Sequence, residues 1–309
     1  MQLHFRRAVS ALLALALLAS SPALALGFIF GGEADAPAAS AIEDDGMLRV
    51  YLKSLGDPAS LGMTLAGSYT VEGDRGFRFD RDTAIVLAAG KGKRMGSEIQ
   101  KQYMLLNGRP MLYYSLDAFQ KCERINEIIL VAGAGEEEYC QREIVEKYRF
   151  SKVVSVVPGG RERYHSVANG LHAITDCDYV FIHDGARPFL TEDIIERAYA
   201  AVIEYQACVV GMPVKDTIKV VDRQSFAVDT PERNALWQGQ TPQGFSYELI
   251  RKAYDLLLEQ GDEAAVTDDA MVAELLLGSK VKLVEGSYRN IKVTTPEDLK
   301  IAEAFCSGN

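Results

Sequence analysis

A glycine-rich loop with four cations follows the first strand-like apolar run of the chain. The run "AIVLAA" occupies residues 84–89, and "GKGKRMGSEIQKQY" follows directly at 90–103. Gly90 and Gly92 let backbone N–H groups come close to an anion, since neither residue carries a Cβ atom. The cations of the loop are Lys91, Lys93, Arg94 and Lys101. This combination suits a triphosphate, and a solvated basic turn is the alternative.

The loop matches neither of two common phosphate-binding patterns. It lacks the G-x-x-x-x-G-K-[ST] sequence, and Met95 stands where a dinucleotide fingerprint requires Gly or Ala. Its place after a strand is nevertheless informative, because ligands of open α/β sheets bind at the carboxyl ends of the strands. We therefore predict a nucleotide phosphate site of another kind.

A second polar group follows another buried strand, in "FIHDGARPF" at 181–189. Asp184 is the first charged residue after this strand. Mg²⁺ is usually held by one or two carboxylates together with phosphate oxygens, which makes Asp184 a candidate metal ligand. Arg187 has the forked geometry that binds a second phosphate. A helix cap or a loop hydrogen bond is the alternative role for Asp184, and His183 is expected to pack or to hydrogen-bond.

Two further stretches are weaker candidates. "VPGGRERYHSV" places Gly160 and Ser166 in and behind a tight loop, where backbone groups can contact a pyrimidine edge. An ordinary strand-to-helix turn explains the same residues. Lys292 lies on a predicted short strand in "SYRNIKVTTPEDL", where a lysine normally faces solvent.

Composition narrows the class of protein. The chain has 309 residues and a formal charge of -10, so it lacks the broad basic surface of a general nucleic-acid binder. Five cysteines form no C-x-x-C pair, and four histidines show no metal-ligand spacing. Free thiols in a reducing compartment are expected.

The amino-terminal segment conflicts with a reducing compartment. Residues 1–25 combine two arginines, an apolar core and a small-residue cleavage pattern, which is the layout of a signal peptide rather than of a membrane anchor. Residues 26–81 read as a linker followed by a small strand-like remnant, which weakly resembles the opening of SpoIID/LytB-type secreted proteins. This remnant is too short to bury a useful core.

From residue 82 onward, apolar strands alternate with amphipathic helices. Strands are predicted at 84–89, 125–133, 152–160, 178–185, 207–214 and 281–288. Helices are predicted near 110–121, 136–148, 163–173, 191–204 and 246–259. Strands that are apolar throughout are buried on both faces. The alternation predicts an α/β fold with a doubly wound, mainly parallel sheet.

The pattern changes between residues 214 and 237, where alternating residues and turn signals predict a projecting β-arm. Two helices follow later in the chain. Thr267 is the expected N-cap of one of them, while Thr295 and Pro296 are expected to open the last.

The segment from about Thr83 to the carboxyl terminus resembles the 2-C-methyl-D-erythritol 4-phosphate cytidylyltransferases, which couple CTP to a sugar-alcohol phosphate in non-mevalonate isoprenoid synthesis. The resemblance rests on eight motifs in the order of the family: "LAAGKGKRM", "KQY", "PGGRERYHSV", "HDGARPF", "PVKDTIK", "RNALWQGQTPQGF", "TDDA" and "NIKVTTPEDL". It implies a Rossmann-like nucleotidyltransferase fold.

The resemblance also implies roles for individual residues. The catalytic cations are Arg94, Lys101 and Lys292. The nucleotide-binding residues are Ala88, Ala89, Gly90, Gly92, Gly160, Ser166 and Gly185. The residues that bind the sugar-alcohol phosphate are Arg187, Thr217, Arg233, Thr241 and Thr267. Asp184 is the Mg²⁺ ligand.

The family resemblance further implies a homodimer in which the arm crosses to the neighbouring subunit. Thr217 and Arg233 then serve the partner's site. Neither a nucleic-acid partner nor stable membrane association is expected, and residues 82–309 are expected to act in the cytoplasm, where CTP is found. A fused or misassigned extension then accounts for residues 1–81.

Two other functions fit parts of the sequence. Ribitol-5-phosphate cytidylyltransferases share the fold, CTP and "QGQTPQ", but usually carry a second glycine at the Ala89 position and Ser-Val after the aspartate. Gly185 and Ala186 stand there in this chain, which favours methylerythritol phosphate. An exported, inactive binding protein is the alternative from another class, and the signal-like start supports it.

Overall fold

The computed structural model describes residues 81–90, 100–261 and 265–307. The predictions for residues 1–80, for Gly92 and for Arg94 lie outside these ranges. Within them, no helix has the length and apolar character needed to cross a lipid bilayer.

A seven-stranded sheet forms the centre of the fold, in the strand order β11-β7-β10-β6-β1-β4-β5. Its strands are β1 (Asp82–Ala88), β4 (Glu127–Ala132), β5 (Val153–Pro158), β6 (Tyr179–Asp184), β7 (Ala207–Pro213), β10 (Trp237–Ser246) and β11 (Lys282–Glu285). Strand β10 runs antiparallel to both of its neighbours, and every other pair in the sheet is parallel. The predicted mainly parallel sheet is therefore confirmed.

Helices cover both faces of this sheet. They are α1 (Met111–Lys121), α2 (Glu137–Tyr139, continued by a π-helical turn at Cys140–Glu146), α3 (Arg163–His172), α4 (Glu192–Tyr205), α5 (Tyr247–Glu259), α6 (Asp269–Leu277) and α7 (Pro296–Ser307). Side chains of β1 alternate between two cores: Val86 joins the core that contains residues of α1 and α4, and Ile85 joins the core that contains residues of α3 and α5. This alternation follows from the two-residue period of a strand. Because helices cover the core on each face, the sheet is doubly wound.

Strand β10 is absent from the sequence-based prediction. Its "WQGQTPQGFS" contains two glycines, a proline and three glutamines, which are poor strand formers. Tertiary packing overrides this local preference, because residues 240–245 lie buried between β6 and β7. The polar side chains of this strand form hydrogen bonds inside the protein.

The predicted arm is confirmed as an antiparallel ribbon of β8 (Val220–Val221) and β9 (Ala227–Asp229). Its turn is closed by Asp222, whose carboxylate accepts hydrogen bonds from the backbone N–H groups of Gln224 and Phe226. Apolar side chains on this ribbon are unusually exposed, including Phe226 at 68% and Val228 at 62%. A second short ribbon pairs β2 (Leu105–Leu106) with β3 (Arg109–Pro110).

Two local predictions change. The N-cap of α6 is Asp268 rather than Thr267, because the Asp268 carboxylate accepts the N–H of Met271 at 2.9 Å. The segment that carries Lys292 belongs to no strand. Thr295 caps α7 as expected, since its hydroxyl accepts the N–H of Asp298. All five cysteines are free thiols, also as expected.

Candidate active site

The candidate site lies where β1 and β6 end side by side. Leu87 is in register with Asp184, and the Gly185 N–H donates to the Leu87 carbonyl oxygen at 2.9 Å. A Cβ atom on Gly185 would stand 2.9 Å from that oxygen and 2.8 Å from Leu112, so only glycine allows this approach. Parallel pairing thus brings Ala88, at the end of one strand, beside Asp184, at the end of the other.

Asp184 is the electrostatic centre of the site. Its side chain is 11% exposed, and Lys292 Nζ lies 2.8 Å from Oδ2. Arg163 Nε lies 3.5 Å from Oδ1, and Arg187 Nε lies 3.7 Å from Oδ2. Burial by itself would raise the pKa of this carboxyl, but the charges of Arg163, Lys292 and Arg187 hold the pKa far below its usual range. Asp184 is therefore a carboxylate at any physiological pH.

The structure brings two of the predicted site lysines, Lys101 and Lys292, close to one another. Lys101 opens the 3-10 helix Lys101–Tyr103, and its Nζ donates to the Val293 carbonyl oxygen at 3.1 Å. Val293 directly follows Lys292, and its own N–H donates to the carbonyl oxygen of Ala186. Both lysines therefore lie next to the turn that follows Asp184, although 191 positions separate them in the chain.

Gln102 anchors this arrangement and was not predicted. Its buried amide donates to the Ala88 carbonyl oxygen at 2.5 Å. The 3-10 helix is thereby fixed to the end of β1, next to Ala89 and Gly90. The motif "KQY" is the only signal for Gln102 in the sequence, because a glutamine after a candidate lysine suggests no role by itself.

A chain of hydrogen bonds inside the protein holds the backbone around Asp184. The Thr241 hydroxyl accepts the N–H of Asp184 at 3.1 Å and donates to His183 Nδ1 at 3.0 Å. His183 Nε2 then donates to the Arg187 carbonyl oxygen at 3.2 Å. Burial, followed by the charge of nearby Arg187, lowers the pKa of His183 to about 4 against the opposing effect of Asp184. His183 is therefore neutral, with its proton on Nε2, and it packs and hydrogen-bonds as expected.

The predicted nucleotide loop after β5 packs directly against the end of β1. A Cβ atom on Gly159 would lie 2.2 Å from Ala89 Cβ, and one on Gly160 would lie 2.2 Å from His165 Cβ. The Gly160 N–H donates to Ser166 Oγ at 3.0 Å, and that hydroxyl donates to the Glu162 carbonyl oxygen. The glycines therefore serve close packing, and they bring the loop to the same edge as Asp184.

The predicted substrate residues lie in three places. Arg187 and Thr241 lie in the Asp184 cluster, and Arg187 also donates to the Asn290 carbonyl oxygen at 2.9 Å. Thr217 and Arg233 lie on the arm, where Arg233 donates to the Lys215 carbonyl oxygen. No hydrogen bond or ion pair within 81–90, 100–261 and 265–307 joins either arm residue to Asp184. Thr267 is exposed just before α6, and its hydroxyl lies 3.6 Å from Met271 Sδ.

Two charged residues of the site were missed in the sequence. Arg163 opens α3 and forms a two-pronged ion pair with Asp269 at 2.8 and 2.7 Å. Asp269 is fully buried at the start of α6. Both residues belong to quoted motifs, "RERY" and "TDDA", but 106 positions separate them, and no local pattern shows that they meet.

The mainly parallel sheet and the cluster of cations around Asp184 at its carboxyl edge define the class of the protein, a Rossmann-like nucleotidyltransferase. Residues 83–307 match the profile of the family described as IspD, 2-C-methyl-D-erythritol 4-phosphate cytidylyltransferase, and the chain belongs to this family.

Named relatives and solved structures agree with this assignment. The chain is 52% identical over 227 residues to the 2-C-methyl-D-erythritol 4-phosphate cytidylyltransferase of Lachnospira eligens, covering 74% of this chain and 100% of that protein. The same enzyme of Caldanaerobacter subterraneus is 50% identical over 224 residues, covering 72% and 97%. The crystal structure of 4-diphosphocytidyl-2C-methyl-D-erythritol synthase from Anaerococcus prevotii superimposes with a TM-score of 0.64 at 34% identity, covering 74% and 99%. The Thermus thermophilus enzyme gives a TM-score of 0.59 at 30% identity, covering 72% and 98%.

The internal role of Thr241 can be separated from a role in binding substrate. Thr241→Val removes the hydroxyl and leaves the buried N–H of Asp184 without its acceptor, which costs about 1–3 kcal/mol. We expect the free energy of unfolding, measured by urea denaturation without any ligand, to fall by that amount. Thr241→Ser keeps the hydroxyl and should retain most of the stability. Unchanged stability of the valine variant, together with a raised KM for the sugar-alcohol phosphate, would instead assign the hydroxyl to the substrate.

Proposed function

We propose that the chain transfers the cytidylyl group of CTP to 2-C-methyl-D-erythritol 4-phosphate and releases pyrophosphate. The observation that carries this proposal is the convergence of Lys101, Lys292 and Arg187 on the edge that holds Asp184, in a chain of this family. A cluster of cations around one acid suits phosphoryl-group chemistry, which depends on positioning and electrostatic stabilisation.

The reaction needs one bond to form and one to break. A phosphate oxygen of the substrate attacks the α-phosphorus of CTP. The bond from this phosphorus to the bridging oxygen breaks, and its electron pair leaves with pyrophosphate. Negative charge grows on the leaving group and on the equatorial oxygens. Lys101 and Lys292, which lie close together at the edge of the sheet, would stabilise this charge, and Arg94 is the third cation assigned to it.

Lys292 has to change partners for this step. In the structure its Nζ pairs with Asp184 Oδ2, and its side chain is 38% exposed. A lysine is a flexible point charge, so exchanging a carboxylate for a phosphate oxygen requires only rotation of its side chain. The resting ion pair thus keeps the cation at the site before the nucleotide arrives.

The residues present fit a magnesium ion. Among the described residues no cluster of three or more metal-ligating side chains occurs, and Asp184 is an ionised carboxylate at the edge where phosphates are expected. One carboxylate plus phosphate oxygens is the usual way in which Mg²⁺ is held beside a nucleotide. When bound, the ion would neutralise charge on the triphosphate. Asp184 would hold it, and Ala88, Ala89, Gly90, Gly160, Ser166 and Gly185 would line the nucleotide.

An assay of the full chain tests this function. With CTP, Mg²⁺ and 2-C-methyl-D-erythritol 4-phosphate we expect equimolar pyrophosphate and 4-diphosphocytidyl-2-C-methyl-D-erythritol, quantified by mass spectrometry. Lys101→Ala should lower turnover by roughly two to three orders of magnitude, the loss typical of a removed transition-state contact.

Lys252→Ala removes an exposed lysine on α5 and is the matched control, which should keep wild-type turnover. Ribitol 5-phosphate is the comparison substrate. Faster turnover of ribitol 5-phosphate would contradict the assigned acceptor, and full activity of the Lys101 variant would contradict the assigned site.

The arm supports a homodimer. Its two strands expose Val220, Val221 and Val228, and its turn exposes Phe226, at 44%, 53%, 62% and 68%. Several large apolar side chains exposed on one short ribbon are typical of interaction sites. Pairing with a second copy would bury it, and would carry Thr217 and Arg233 to the partner's site.

We therefore expect the protein to sediment at the mass of two chains. Val228→Asp places a charge on the apolar arm and should shift the sedimentation equilibrium towards the single chain, with a loss of turnover at low protein concentration. Val154→Asp, on the exposed face of edge strand β5, is the control and should remain dimeric. A dimer that survives the Val228 substitution unchanged would place the interface elsewhere.

We assign the catalytic segment, residues 82–309, to the cytoplasm. CTP is a cytoplasmic metabolite, and the five free thiols suit a reducing compartment. Mass spectrometry of the amino terminus of the native protein tests this assignment, and we expect a cytoplasmic chain that starts near residue 82. Recovery of intact residues 26–81 on an extracellular protein would overturn it.

A further inference from the structure

One guanidinium lies between the two carboxylates of the site. The terminal nitrogens of Arg163 bind both oxygens of Asp269, at 2.8 and 2.7 Å. The remaining nitrogen, Nε, faces Asp184 Oδ1 at the longer distance of 3.5 Å. Arg163 therefore gives its strong, forked contact to Asp269 and only a single side contact to Asp184.

Asp269 is itself rigidly held. Its side chain is fully buried, and Tyr254 Oη donates to its Oδ1 at 2.6 Å. Its backbone N–H donates to the Gln243 side chain at 3.0 Å, which ties the start of α6 to β10. A carboxylate held by Tyr254 on an anchored backbone leaves the fork of Arg163 little freedom to rotate.

The contrast with Lys292 shows what this arrangement can do. Lys292 pairs with Asp184 through one flexible ammonium, whereas Arg163 would have to break two short charged contacts to turn its fork onto Asp184. If both terminal nitrogens of Arg163 did turn to Asp184, they would occupy the carboxylate oxygens that an incoming cation needs.

We propose that Asp269 is a positioning residue that holds the fork of Arg163 away from Asp184 and thereby leaves the Asp184 carboxylate open to a divalent cation. The inference rests on the proposed function, in which Asp184 faces the metal and the nucleotide. Loss of the charge on Asp269 would free the terminal nitrogens of Arg163. They would then turn to Asp184, the other carboxylate that Arg163 already contacts.

The experiment measures binding of Mn²⁺, used as the probe, to the full chain with CTP, by electron paramagnetic resonance of the free ion. Four proteins are compared: wild type, Asp269→Asn, the double variant Arg163→Gln with Asp269→Asn, and Tyr254→Phe. We expect Asp269→Asn to need roughly ten-fold more Mn²⁺ for half-saturation, a loss of the size seen when residues outside the direct ligands of a metal site are changed.

The double variant removes the competing fork as well, and its half-saturation should return to within about two-fold of wild type, since a mere structural defect would not be rescued by a second substitution. Tyr254→Phe removes a hydrogen bond to the same carboxylate but leaves the fork intact. It should lower thermal stability and shift the Mn²⁺ titration far less than Asp269→Asn does.

Wild-type Mn²⁺ binding by Asp269→Asn would overturn the proposal, as would a double variant that binds as weakly as the single one. If Asp269→Asn does not fold, the double variant, whose net charge equals that of the wild type, is tested instead. Ten-fold weaker Mn²⁺ binding by the double variant would show that Arg163 supports the site rather than competing for it. The titration involves no turnover. The transferase assay could therefore fail while Asp269→Asn still weakens Mn²⁺ binding and the double variant restores it. That result would reject the proposed reaction and not the role of Asp269.

Discussion

The buried charge on Asp184 is the constraint on which the site depends. A carboxylate removed from water is strongly unfavourable unless cations and hydrogen bonds replace its hydration. Here three cations do so, and each comes from a different segment: Arg163 from the start of α3, Arg187 from the turn after β6, and Lys292 from the stretch before α7. The ion pairs therefore join three parts of the chain around one residue.

The same interactions explain how an acidic protein can hold a binding site for anions. The chain carries a formal charge of -10, so its overall field does not attract nucleotides. Positive charge is instead concentrated at one edge of the sheet, within a few ångströms of Asp184. Because Asp184 neutralises only part of this charge, the edge keeps an excess of cations for the triphosphate.

Strand β10 supports this edge from its place beside β6 in the sheet. It reverses the direction of the sheet between β6 and β7, and its buried polar side chains bind the surrounding segments. Thr241 holds the backbone of Asp184, Gln243 accepts two N–H groups at the start of α6, and Gln240 contacts the Ser287 carbonyl oxygen. These bonds explain why residues with low strand propensity form a strand inside the sheet. The side chains of Gln240, Thr241 and Gln243 each hold a neighbouring segment in place.

By itself the sequence determined the elements whose signals are local. The apolar runs of β1, β4 and β6 and the helices between them appear within one or two residues of their predicted bounds, because burial on both faces and helical periodicity are properties of short segments. The motifs also singled out Asp184, Lys101 and Lys292 as candidates, and the structure places all three at one edge of the sheet. Only the tertiary structure decided the place of β10, the pairing of Arg163 with Asp269 and the internal use of Thr241. Thr241 lies 57 positions from Asp184 and Arg163 lies 106 positions from Asp269, while β10 pairs with two strands that precede it in the chain; the energy of such contacts exists only after the chain has folded.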